Sequence, residues 1–197
     1  PVTFGEVYVK DLLARFAAPH PRLVIDLRLS DAFVDLAGEG IDLALRIGRP
    51  EVAVLKLRRL GEIEGILVAA PDYLARAGTP AAIGDLARHA CIIDTNRRQP
   101  TRWAFDSGES VTVSGRFFVN SAQVARDLAV AGEGIAFCPR FVLGDALATG
   151  RLVQVLPGAA SGKTPLNAVW LEGRTLPRKL RAFIDFARAD LRAQGIA

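Results

Sequence analysis

Ser121-Ala122-Gln123-Val124-Ala125-Arg126-Asp127-Leu128-Ala129-Val130-Ala131-Gly132-Glu133-Gly134-Ile135-Ala136-Phe137-Cys138-Pro139 carries the organisation of the whole chain. Ser121 is an N-cap residue type, and Val124, Ala125, Leu128 and Ala129 recur at helical spacing. Gly132 stops the helix, and Ile135 to Pro139 is a short apolar strand. The unit is therefore helix, glycine stop, strand.

Working outward, the same alternation repeats. Residues 5 to 18 set Val9, Leu12, Leu13 and Phe16 on one helical face and stop at Pro19-His20-Pro21. Leu23 to Leu29 reads as a strand, Phe33 to Ala37 as a short helix ended by Gly38, and Ile41 to Ile47 as a strand closed by Gly48. A long β segment spans Leu55 to Ala70, followed by helices at Asp72 to Arg76 and Ile83 to Arg88 and a strand at Cys91 to Asp94. Trp103 to Phe105 and Val111 to Val113 form a hairpin, and Arg116 to Val119 adds a strand. Beyond Pro139 come a short helix at Val142 to Ala148, a strand at Leu152 to Leu156 and a loop from Pro157 to Pro165. A strand at Leu166 to Leu171 follows, and the last helix, Pro177 to Arg192, turns Leu180, Phe183, Ile184, Ala187 and Leu191 inward. This order predicts an α/β fold with mainly parallel sheets.

An echo strengthens the reading. Ala37-Gly38-Glu39-Gly40-Ile41 followed by Arg46 repeats, 94 residues later, as Ala131-Gly132-Glu133-Gly134-Ile135 followed by Arg140. The offset is close to half the chain and points to two similar lobes, with shared turn chemistry after a helix as the competing explanation.

Composition bounds the rest. The chain has 197 residues, is 50% hydrophobic and 23% charged, and contains 18 Gly and 11 Pro, so disorder and collagen-like structure are excluded. No apolar run reaches the 18 or so residues of a membrane span. The chain starts at Pro1 and contains no Met, which reads as a processed product or a piece of a longer protein. Cys91 and Cys138 lie in apolar runs as small buried hydrophobes, and His20 and His89 have no partners at ligand spacing, so no metal is expected. The net charge is +4, but the arginines are scattered without a phosphate-tracking stripe. No nucleophile elbow, P-loop or dinucleotide fingerprint occurs, so catalytic residues and cofactors are expected to be absent.

What remains is binding. In α/β sheets ligands settle beyond the carboxyl ends of strands, beside helix N-termini whose N–H groups are unpaired. Such ends fall at Thr3-Phe4, Ser30-Asp31-Ala32-Phe33, Arg46-Ile47-Gly48, Asn120-Ser121 and Pro139-Arg140-Phe141. Hydroxyls, an arginine and two phenylalanine walls suit a small carboxylated or aromatic molecule. Each residue also has a structural reading: Thr3 and Ser121 as helix caps only, Arg46 paired with Asp42 or another surface carboxylate, and Phe33 and Phe141 as core.

The motifs resemble a family. Pro1-Val2-Thr3-Phe4-Gly5, Leu29 to Leu36, Gly40 to Gly48, Val68 to Leu74, Trp103-Ala104-Phe105, Val119-Asn120-Ser121, Ala131 to Ala136 with Pro139, Gly150 to Val153 and Leu176 to Phe186 resemble, in order and spacing, the effector-binding domain of LysR-type transcriptional regulators. The likeness spans essentially the whole chain.

It implies two Rossmann-like lobes of the type 2 periplasmic-binding-protein kind, lobe I being residues 1–70 and 167–197 and lobe II residues 71–166, with a small-molecule effector held in the interlobe cleft. Effector contacts carried over from the family fall on Thr3, Phe4, Asp31, Phe33, Arg46, Ile47, Asn120, Ser121, Pro139 and Phe141. The resemblance further implies a cytoplasmic protein that is not an enzyme, a homodimer formed through lobe surfaces, and a tetramer for the full-length regulator. Residues 5 to 18 and 23 to 29 are the expected dimer contact. DNA would be bound only through an N-terminal winged helix-turn-helix that these residues do not include, and the family's first strand would precede Pro1. A periplasmic-type solute-binding protein for an uptake system is the alternative with the same fold.

Overall fold

The computed structural model describes residues 1–32, 34–48, 55–159, 161–173 and 176–196. The chain divides into two compact units, Pro1–Ile63 with Thr164–Ala197, and Glu64–Lys163.

Unit 1 begins with one helical stretch, α1 (Val2–Phe4), a π-helical turn Gly5–Val9 and α2 (Lys10–Ala17). It starts three residues earlier than the apolar spacing suggests, because Thr3 and Phe4 are already buried. Phe4, Tyr8, Leu12 and Phe16 form its inner face against Phe183, Ile184, Ala187 and Leu191 of the final helix α5 (Arg178–Ala193). Phe16 meets Phe183 edge-on at 5.2 Å. The contact is fastened by Asp190, which accepts Tyr8 Oη–H at 2.5 Å and Arg15 Nε–H at 2.9 Å. Strand β1 (Ala44–Ile47) pairs antiparallel with the end of β9 (Ser161–Leu171), from Ala44 opposite Val169 to Ile47 opposite Leu166.

Three expectations fail here, two in unit 1 and one in the segment that leads into β9. Leu23 to Leu29 forms neither helix nor strand and joins no described ladder, leaving Val24 92% exposed. A cavity of about 620 Å³ is lined by that segment, by α2 and by residues 39–46. In place of a helix at 33 to 37 there is a hydrogen-bonded turn over 36–40, with Ile41 N–H donating to Leu36 O at 3.0 Å. The expected loop over 157 to 165 is shortened, since β9 already begins at Ser161. Pro165 fits because its carbonyl accepts Gly48 N–H at 2.8 Å, a role that needs no proline donor.

Unit 2 is built on the second part of β2 (Leu55–Ala69), together with β3 (Ala90–Asp94), β6 (Ser114–Val119) and β7 (Ile135–Pro139). β3 runs parallel to β6 and β7, whereas β2 is antiparallel to β7 and to β8 (Val153–Val155). β4 (Arg102–Ala104) and β5 (Ser110–Thr112) form the expected hairpin. The expectation of mainly parallel sheets is therefore corrected: the described ladders are mixed and mostly antiparallel, because alternating elements fix strand spacing but not strand direction.

The sheet is buried on both faces. Leu67, Ile93, Ile135 and Phe137 join Trp103, Phe105, Leu86 and Tyr73 of α3 (Pro71–Ala77) on one side. On the other, Ile66, Val68, Ile92, Ala136 and Cys138 pack against Ala122, Ala125 and Ala129 of α4 (Ala122–Val130). Val124, expected on the inner face, is 45% exposed. A single 3-10 turn, Arg140–Val142, and further turns replace the helix expected over 142 to 148.

Both cysteines are free and buried, and burial pushes each thiol up to about 12. Little thiolate exists at pH 8, so native protein is expected to give no fast reaction with a thiol reagent such as dithionitrobenzoate and two equivalents on unfolding in urea; fast native labelling would overturn this burial. The sign follows for stability. A thiol kept neutral by burial favours the fold below its unfolded pKa, and that contribution declines as pH rises toward 12.

Candidate functional site

The sequence-selected residues gather into two clusters, one in each unit. In unit 1, Thr3 and Phe4 lie at the start of the first helix and are 8% and 1% exposed; Phe4 stacks on Tyr8 at 5.4 Å. Asp31 accepts Val2 N–H through Oδ1 at 3.0 Å. Arg46, on β1, sends Nη2–H to Ala32 O at 2.9 Å and Nη1–H to Ser30 O at 3.5 Å. Arg46 therefore braces the 30–32 loop through its carbonyls, and Asp42 lies 3.9 Å from Lys179 Nζ. Ile47, half-buried, is opposite Leu166 in the ladder. Phe33 lies outside the described residues.

In unit 2 the parallel arrangement of β3, β6 and β7 brings their carboxyl ends to one rim. Ser121 caps α4, its Oγ accepting Val124 N–H at 3.4 Å, so the cap reading holds and the hydroxyl stays at the strand end. The Asn120 carbonyl accepts Asn96 Nδ2–H at 2.6 Å. Thr95 donates N–H and Oγ1–H to Val119 O at 2.7 and 3.1 Å. The loop after β3 is thereby latched to the end of β6. Pro139 ends β7 opposite Gly65, half-buried. Phe141 packs on the α4 side of the core, which favours its structural reading.

The echoed motif does not repeat one local geometry. Gly40, its second glycine, is left-handed at φ 67° in the first copy, whereas Gly132, the first, is left-handed at φ 77° in the second. The arginines also diverge: Arg46 meets carbonyls, and Arg140 donates Nε–H to Glu64 at 2.6 Å.

Sequence reasoning missed Arg97. Its guanidinium carbon lies 3.8 Å from the centre of the Phe137 ring, and the side chain is half-buried at the unit 2 rim. Its neighbour in sequence is Arg98, and a doublet of arginines reads as surface; the partner ring, forty residues on, left no local signal.

Among the described residues no group of three or more His, Cys, Asp or Glu side chains could hold a metal, and no helix is long and apolar enough to cross a membrane. The arrangement offers hydroxyl, amide and guanidinium donors at strand ends.

Comparison with known proteins gives these clusters a family. A profile described as LysR substrate binding domain matches residues 1–192. The HTH-type transcriptional regulator PtxR of Pseudomonas aeruginosa is 33% identical over 196 residues, covering 97% of this chain and 62% of PtxR. The regulatory domain of CrgA, a LysR-type transcriptional regulator from Neisseria meningitidis, superposes with a TM-score of 0.83 at 29% identity, covering 96% of this chain and 94% of that one. Full-length AphB, a Vibrio cholerae virulence activator, gives 0.81 at 28% identity, covering 95% of this chain and 65% of AphB. This chain spans less than two thirds of the length of curated relatives such as PtxR. The fold is that of the periplasmic-binding-protein-like regulatory domains, and the chain belongs to the LysR substrate binding domain family.

Proposed function

We propose that this chain is the ligand-sensing domain of a bacterial LysR-type transcriptional regulator, binding a small carboxylated or aromatic effector and so controlling how attached DNA-binding domains engage DNA. The observation that carries the reading is the family match across residues 1–192, joined to donor clusters in both units. Asp31 and Arg46 form the cluster in the first unit, and Asn120, Ser121 and Pro139 the cluster in the second. No chemistry is needed. An effector that favours one arrangement of the domain over another by about 1–3 kcal/mol suffices to switch a regulator. The domain is not an enzyme on this reading, and it works in the cytoplasm.

The test is a thermal-shift screen of small carboxylates and aromatic acids on the parent chain, Arg46→Ala and Ser121→Ala. Ser121→Ala lowers the unliganded Tm through its lost cap, about 1 kcal/mol, so the ligand-induced shift is the quantity compared. The expected result is a shift that is present in the parent and largely lost in both variants. Equal shifts in all three chains would remove the assignment.

A second copy of the chain is the proposed protein partner. Val24, Ile25, Leu27 and Leu29 are large apolar side chains exposed on one segment, and such runs mark contact surfaces. The apolar face of α2 is already used within unit 1, which leaves Lys10, Asp11 and Arg15 outward. Val24→Asp is expected to convert a dimer to monomer in light scattering at tens of micromolar. A parent chain that is already monomeric there would count against this surface.

A further inference from the structure

At the unit 2 rim, one face of the Arg97 guanidinium is taken by the Phe137 ring at 3.8 Å. A stacked guanidinium keeps its N–H donors in the ring-parallel plane, pointing outward from its edge. Among the described residues those donors meet no hydrogen-bond acceptor and no carboxylate within ion-pairing distance. The other arginines around this sheet are engaged: Arg116 with Glu133, Arg140 with Glu64, Arg126 with Val142 O and Asp127, and Arg76 with Gly132 O. Burial also pulls the Arg97 pKa below its ordinary value, with Asp94 acting in the opposite direction. A half-buried cation whose donors lack partners is costly, and an incoming acceptor relieves that cost.

Local packing holds the group in place. Gly65 makes room for Phe137, since a Cβ there would sit 2.8 Å from its Cε2. Phe105 stacks parallel to the same ring at 6.0 Å and Trp103 meets it edge-on at 5.5 Å. The loop carrying Arg97 is latched through Thr95 and Asn96 to the end of β6. The guanidinium is thus held against Phe137 on a loop fastened to the end of β6.

We propose that Arg97 is the anion-recognising residue of unit 2, gripping a small carboxylate through two parallel N–H···O bonds while Phe137 supports the opposite face. A planar carboxylate matches the guanidinium fork edge to edge, which a neutral amide does not. The assignment rests on the effector-binding reading above and narrows its ligand to the carboxylate class.

The experiment is calorimetric titration of the 197-residue chain with benzoate, phenylacetate and succinate, each beside its amide: benzamide, phenylacetamide and succinamide. At least one acid is expected to bind and its amide not to, with Arg97→Gln weakening the acid by about tenfold or more. Arg97→Lys, which keeps the charge and loses the fork, should fall between. Circular dichroism and the unliganded Tm establish that each variant folds, and Arg97→Lys decides the matter if Arg97→Gln does not. Unchanged affinity in the folded variant, amides that bind as well as acids, or no acid that binds would each overturn the proposal. The two readings separate cleanly. An acid lost by Arg46→Ala and Ser121→Ala but kept by Arg97→Gln removes only the role of Arg97, and an acid kept by all three removes both.

Discussion

Replacing Gly115 by alanine is expected to cost about 3 kcal/mol, at the upper end of overpacking penalties, and to lower Tm by about 6–12 °C. Gly115 lies on β6, where β3 and β6 change register: Ala90 is opposite Ser114, but Ile92 is opposite Phe117. The step inserts one extra residue on β6 beside Cys91, as a bulge does. A Cβ at Gly115 would stand 1.7 Å from the Cys91 carbonyl oxygen and 2.8 Å from its carbon. Those are main-chain atoms of the strand that pairs with both β6 and β7, so they cannot swing aside as a side chain can. Relief requires separating two strands whose opposite faces both carry core. Gly84→Ala is the control, since a Cβ there meets nothing within 4 Å, and it should change stability by no more than about 0.5 kcal/mol. Urea unfolding of both variants, followed by circular dichroism, checks the pair. Similar midpoints would show that β3 and β6 do not approach so closely at Cys91.

Elements that depend on local chemistry were legible in the sequence. Ser121 and Gly132 bracket α4 because capping and left-handed termination are decided within one turn. The inner face of α5 followed from spacing, since one side of the helix is buried. Direction was not legible: an apolar run such as Ile66 to Ala69 reads the same whether its neighbour is parallel or antiparallel, and here β7 is antiparallel. Leu23 to Leu29 shows the same limit. Its composition is that of a strand, but a strand exists only with a ladder partner, and this segment joins no described ladder. At the site, residue types at strand ends could be picked one by one, whereas their bonds could not. Arg46 donates to the Ser30 and Ala32 carbonyls, and Arg97 depends on a ring forty residues away.

Trp103→Ala should be the most damaging side-chain truncation in unit 2, with an expected loss of about 3–5 kcal/mol. The indole is 0% exposed and sits against Phe137, and its Nε1–H donates to Pro100 O at 3.2 Å. Truncation would leave a large void beneath the hairpin of β4 and β5 and strand an acceptor. It would also loosen the ring on which Arg97 rests, so acid binding should weaken along with stability. The chain has two tryptophans, and the other, Trp170, lies on the part of β9 that belongs to unit 1. In Trp103→Ala all indole fluorescence therefore reports unit 1, while circular dichroism reports both units. Unit 2 is expected to unfold at lower urea than Trp170 responds, which would give two transitions where the parent is read by both probes. Trp103→Phe keeps a ring but loses the N–H bond and part of the volume, and should retain most of the stability. A Trp103→Ala chain with the parent's midpoint by circular dichroism would mean that the indole is not the centre of the unit 2 core.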